Sequence, residues 1–269
     1  MDTTDKKKKA GLQAQITNAI DENNNGEIDI EDIIIKGLKT PGIRIKREAF
    51  LRREFGRKYP VEVLDKLSTT GPLLAGIPNE DIEKVAEQVI QFERNCVSGI
   101  SALLGAPGGW AMAATIPADI IQYYAYMLRA AQKLMYLYGF PEIIGGEEGT
   151  IDTTTVNLLV VCLGVMYGVA GAKNALLTIT KALGEGVEKK LLNMALTKGT
   201  IYPIVKKVAK WFGVKMTKEI FAGFFKNAIP VVGGIAGGTV TYLSFKPCCD
   251  KLRTVLKENM SEINTSKLT

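Results

Sequence analysis

The chain has 269 residues, enough to bury a substantial core as one large or two small domains. Its 34 Lys and Arg against 28 Asp and Glu leave a formal charge of +6, and no compact basic module laced with aromatics points to nucleic acid. Histidine is absent, which excludes Ser-His and Cys-His nucleophile pairs, imidazole zinc sites and a histidine pH switch.

Residues 1–10 form a charged, disordered tail in which Lys6 to Lys9 are followed by no apolar segment, so a secretory signal is not expected. Cys96, Cys162, Cys248 and Cys249 lack C-x-x-C spacing and read as reduced structural thiols, which places the chain in the cytoplasm. Leu12, Ile16, Ala19 and Ile20 recur at helical spacing and predict a first helix. Directly after it comes the most informative stretch, residues 21–32, DENNNGEIDIED. Oxygen-bearing side chains stand at its positions 1, 3, 5, 9 and 12, with glycine at 6 and isoleucine at 8, the ligand order of an EF-hand calcium loop. A hard cation needs six or more converging oxygens, and a short loop supplies them only by turning sharply at a glycine. Asp21, Asn23 and Asn25 would each give one side-chain oxygen to Ca²⁺, and Glu27 its backbone carbonyl. Asp29 would act directly or through water, Asp32 would close the shell, and Ile28 would point inward. Asp32 in place of glutamate and two neutral Asn ligands point to weak affinity, and the loop resembles those of dockerin-type repeats as much as those of calmodulin. The alternative for the same residues is a polar turn that holds no ion.

Ile30, Ile33, Ile34 and Leu38 predict the exiting helix, stopped by Gly37 and Thr40-Pro41-Gly42, so that 11–42 forms a helix-loop-helix unit. The connector at 43–59 carries Arg44, Lys46, Arg47, Arg52, Arg53, Arg57 and Lys58 around Phe50, Leu51 and Phe55. That is a basic amphipathic helix, more often an ordinary one with solvated charges than one lying on an anionic membrane surface. From Pro60 helical periodicity prevails, predicting an all-α domain over 60–258 and a polar tail at 259–269. Helices are expected at 61–68, 80–100, 117–138, 152–183, 185–198, 201–212, 215–227 and 231–258. In the second of these Ile82, Val85, Val89, Phe92 and Cys96 share a face; the third is apolar on most sides, with Asp119, Gln122, Arg129 and Lys133 as its polar stripe.

Three uncharged, glycine-bearing runs stand out at 95–118, 153–172 and 227–245. The first is interrupted by Pro107 and Pro117. The second just reaches bilayer-spanning length and has Gly164 and Gly168 in small-xxx-small spacing. The third contains Gly233, Gly234, Gly237 and Gly238 as two overlapping GxxxG pairs, a spacing that also permits homo-oligomers. Such runs suit either a membrane-associated protein or a tightly packed soluble core, and a mean hydropathy of +0.09 favours neither strongly.

Two blocks resemble the bacterial EcsC family of helical proteins. One is GAPGGWAMAATIPAD at 105–119, leading to Leu128-Arg129 and Tyr138-Gly139; the other is IPVVGGIAGGTVTY at 229–242. The resemblance covers about 60–258, leaves the calcium-type loop outside as an added element, and implies a helical fold without an agreed activity. Two functions stand. One is a non-enzymatic, calcium-tuned protein at the cytoplasmic membrane face or on a membrane partner. The other is a soluble binder or enzyme using Asp119, Arg129, Tyr124 and Tyr126 in a core pocket. Asp119 and Arg129 are nearly three turns apart and cannot touch directly, and Asp119 after Pro117 also suits a helix start.

Overall fold

The computed structural model describes residues 24–105, 109–144, 151–184, 189–213 and 233–268, with Ala14, Thr17, Asn18, Ile20, Asp21 and Glu22. The helices are α1 (Ile30–Lys39), α2 (Arg47–Phe55), α3 (Val61–Thr70), α4 (Asn79–Gly105), α5 (Gly109–Leu137), α6 (Thr153–Tyr167), α7 (Ala172–Gly184), α8 (Lys189–Thr197), α9 (202–213) and α10 (Gly233–Leu268). No strand occurs among the described residues, and the fold is all-α as expected.

The longest helices set the frame. Ser101 near the end of α4 bonds Asp119 of α5 at 2.7 Å and Thr241 of α10 at 3.3 Å. Toward the start of α4, Glu83 accepts from Tyr138 just past α5 at 2.5 Å and meets Lys257 of α10 at 3.2 Å. α4 therefore runs antiparallel to both α5 and α10, which lie parallel to each other. α1 crosses α5 at Gly37, where an added Cβ would stand 3.0 Å from Leu128 Cδ1. One continuous apolar core joins α1 and α2 to the later helices, so α1, which follows the loop, is docked on the bundle.

Several boundaries differ from the sequence expectation, each for a physical reason. Gly37 does not stop α1; it is buried in the last turn, and the helix ends at the Thr40 cap. The expected helix over 152–183 is two. Gly168 caps α6 at φ +72°, and Gly171 at φ +95° opens the turn into α7, a region of backbone space that suits glycine. Gly168 thus serves as a cap beside solvent, not as the helix–helix contact its spacing suggested. Gly164 does make one: a Cβ there would lie 2.8 Å from Val208 Cγ2 and 2.9 Å from Ala172 Cβ. α5 begins at Gly109 and runs through Pro117, so Asp119 stands inside the helix and not at its start. α10 continues to Leu268, through the stretch expected to be a tail. The expected helix at 215–227 and the surroundings of Gly233 and Gly237 lie outside the described residues.

On α4, Phe92 is 55% exposed while Glu93 is fully buried. The inward stripe passes through Ile82, Ala86, Ile90, Glu93 and Val97, placing a carboxylate where an apolar side chain was expected. Glu93 is compensated there by Lys133, itself buried, and by Arg129 Nε at 3.3 Å. Burial pulls the Lys133 ammonium below its ordinary pKa, and Glu93 opposes that pull.

Candidate functional site

The loop preceding α1 is organised by its carboxylates. Asp21 accepts the backbone N–H of Asn25 at 3.3 Å through one oxygen and that of Gly26 at 2.8 Å through the other. Asp32 reaches back to the N–H of Glu22 at 3.2 Å and of Asp29 at 3.4 Å. The first and last residues of the twelve therefore hold opposite sides of the loop, which turns at Asn24 (φ +57°) and Gly26 (φ +82°). Ile28 packs on the apolar core, as its position predicted, and Glu22 is tied down by Lys36 at 3.1 Å and Lys39 at 2.7 Å.

Of the proposed ligands, Asp21, Asn25, Glu27, Asp29 and Asp32 lie along this loop; Asn23 falls outside the described residues. Asn25 Nδ2 donates to Asp29 at 2.8 Å, and Asn25 Oδ1 accepts the N–H of Glu27 at 2.8 Å. To serve an ion, the Asn25 amide must turn its oxygen inward. Among the described residues no three His, Cys, Asp or Glu side chains stand together as a metal-holding group. A shell here would therefore depend on amide and backbone oxygens beside the carboxylates, which is how a calcium loop of this ligand order is completed. Burial raises the Asp32 carboxyl above its ordinary pKa; loop N–H groups oppose the rise, and the charges of Asp29 and Asp21 add to it. A cation in the loop would relieve that repulsion.

The second candidate set is dispersed. Asp119 bonds Ser101, while Arg129 lies against Glu93 and over the Tyr126 ring at 5.6 Å. Tyr124 is buried among Tyr123, Tyr167 and Phe212, and burial raises its phenol far above the ordinary value. These residues serve separate helix contacts and do not converge on a common opening.

The basic helix at 44–58 is largely neutralised. Arg44 donates to the Leu38 carbonyl, Arg47 is buried, and Arg52 is shared by Glu48 and Asp65. Arg53 pairs with Glu54 and Lys58 with Asp81. The stretch 206–218 also carries lysines (Lys206, Lys207, Lys210, Lys215 and Lys218) around Trp211 and Phe212, a mixture its sequence offers to a lipid interface. In the structure Trp211 and Phe212 pack on the aromatic core, tilted and edge-on against Tyr167 at 5.8 and 5.1 Å. Lys215 and Lys218 lie outside the described residues. No described helix is long and apolar enough to cross a membrane; α6, offered by its run as a span, is 15 residues long and buried along nearly its whole length.

Comparison with known proteins finds no matching family model, no matching curated protein and no matching solved structure.

Proposed function

We propose that this chain is a non-enzymatic, calcium-binding helical protein of the EcsC type that works at the cytoplasmic face of a membrane or on a membrane partner. One observation carries the calcium half: Asp21 and Asp32, at the two ends of the loop, gather the backbone N–H groups of Glu22, Asn25, Gly26 and Asp29 around their own oxygens. The EcsC likeness stands on the two sequence blocks at 105–119 and 229–242.

The membrane half is supported by one end of the bundle. The antiparallel arrangement brings the described parts of the uncharged runs, 95–105 and 233–245, to the same end, where Leu103 and Leu243 are 74% and 66% exposed. Tyr242 stands there too, its ring 3.9 Å beneath the Arg94 guanidinium. Exposed apolar side chains grouped at one end suit insertion among lipid headgroups, whereas the paired charges of α2 do not supply a free basic face. Attachment should therefore depend more on apolar contact than on lipid charge.

Vesicle flotation of the full chain tests this, with neutral and anionic lipids, with and without calcium. The expected result is flotation that persists at high salt and is lost with Leu103→Asp and Leu243→Asp together. Protein that stays at the bottom of the gradient in every condition removes the membrane from the account.

A further inference from the structure

A cavity of about 650 Å³ lies at the end of the bundle opposite the uncharged runs, between the start of α2, the end of α3, the turn after α5, α7 and the carboxy-terminal part of α10. Its volume is that of an ordinary small-molecule site, and such sites are mostly apolar with a few placed polar groups. Here the apolar wall includes Leu73, Leu74, Leu183 and Met260. The polar group is Arg47, only 6% exposed. Its Nε donates to the Phe140 carbonyl at 2.8 Å and its Nη1 to the Ser68 carbonyl at 2.6 Å. These bonds fix the guanidinium plane and leave Nη2 at the edge formed by Gly71.

Gly71 and Gly139 adopt φ of +85° and +91° and face each other closely. A Cβ on Gly71 would stand 3.1 Å from Gly139 Cα and 3.4 Å from Arg47 Nη2. The backbone is thus bare where the guanidinium meets the cavity. Thr69 and Thr70 do not compete as donors, because they give their protons to the Lys66 carbonyl at 3.0 and 2.9 Å, which leaves the buried Ser68 hydroxyl as the other donor in the wall. The hydrogen bonds of the Arg47 guanidinium go to neutral carbonyls, and Glu142 supports its charge through space without bonding it, so the buried cation still gains from a directly bound anion. The two carboxylates in the wall limit what that anion is. Glu142 accepts the Arg47 backbone N–H and the Tyr136 hydroxyl, and Glu48 accepts from Arg52. Both are engaged, yet their charges disfavour a dianion such as phosphate.

We propose that this cavity binds an amphiphilic monocarboxylate, its carboxylate on Arg47 Nη2 and its unbranched apolar tail against Leu73, Leu74, Leu183 and Met260. The site is independent of the calcium loop and of any membrane role.

The test is calorimetric titration of the full chain with decanoate, 1-decanol and inorganic phosphate, all below micellar concentrations, with the Gly71 and Gly139 amide resonances as reporters of place. Decanoate should bind at least tenfold more tightly than decanol and move both resonances, and phosphate should give no heat. Leu74, 52% exposed, can be changed without burying a charge. Leu74→Glu should weaken decanoate at least tenfold with the thermal midpoint unchanged, whereas Arg47→Lys tests the guanidinium itself where that variant folds. The proposal is overturned by any of three results: no decanoate heat at millimolar concentration, equal binding of decanol, or Leu74→Glu binding like the wild type.

Discussion

Removing the Glu93 carboxylate should be among the most damaging single changes in this protein. Glu93 is fully buried on α4, and its partner Lys133 on α5 is 2% exposed, so the ammonium cannot reach water when the pair is broken. Lys133 Nζ also lies 5.7 Å from the Phe50 ring centroid and 5.5 Å from that of Phe92. Those ring faces offset about 1–2 kcal/mol at best. Leaving a buried charge unpaired costs about 3–5 kcal/mol, so Glu93→Ala should lose roughly 2–4 kcal/mol near neutral pH. The sign of the pH dependence follows from Lys133, whose folded pKa burial already depresses. Without Glu93 it falls further, the unfolded chain binds the proton more tightly, and the variant should regain stability as pH rises toward 10.5. Glu93→Leu with Lys133→Met removes both fully buried charges and leaves only Arg129, 21% exposed, without its carboxylate, so it should stay within about 1–2 kcal/mol of the wild type. Urea unfolding followed by circular dichroism at about pH 7 and about pH 9.5 reads all three. A loss below about 1 kcal/mol for Glu93→Ala, or no recovery at the higher pH, would refute the buried-pair argument.

Two glycines in helices should respond in opposite directions to alanine. Gly164→Ala meets Val208 and Ala172 below 3.0 Å, and about 1–3 kcal/mol of overpacking outweighs the roughly 1 kcal/mol of helix propensity gained. Gly99→Ala meets nothing within 4 Å on an exposed face and should stabilise by up to about 1 kcal/mol; thermal unfolding of both variants checks the pair. Glu87 joins α4 to α10 through Lys246 at 2.9 Å and Arg253 at 2.6 Å. Its hydrogen bonds with Gln91, Lys246 and Arg253 hold its carboxyl down to about 2, from 4.5. A depressed carboxyl stabilises the fold above pH 4.5 and loses that contribution as pH falls toward 2. With the side chain 32% exposed, about 1–2 kcal/mol is at stake, and Glu87→Gln should flatten acid unfolding over that interval.

Helical periodicity made most of this fold legible in the sequence, because nearly every helix presents its apolar stripe to one shared core. What it missed follows from interactions between elements. Gly168 and Gly171 were uniform with their apolar neighbours, and only their positive φ shows that α6 and α7 are separate helices. Phe92 and Glu93 exchanged roles because Lys133, forty residues away, makes a buried carboxylate tolerable. The basic character of 44–58 is plain in its composition, but its acidic partners Asp65 and Asp81 come from other helices. The calcium-type loop was visible because its twelve residues are contiguous. The Arg47 cavity was not, since its walls come from five separate elements; the basic run gave no sign that one arginine is buried. Gly71 and Gly139, each directly after a helical segment, are the faint signal that could have pointed there.

The most direct test of the account is a calcium titration of the full chain, read by calorimetry and by the Gly26 amide resonance. That N–H already donates to Asp21 at 2.8 Å, so an ion drawing on the Asp21 carboxylate must change its environment. Calcium should fill one weak site with a dissociation constant in the micromolar to millimolar range and give a saturable Gly26 shift, and both should be lost on Asp21→Ala with Asp32→Ala. No heat and an unmoved Gly26 resonance at millimolar calcium would show that residues 21–32 are a carboxylate-tied turn that binds no ion.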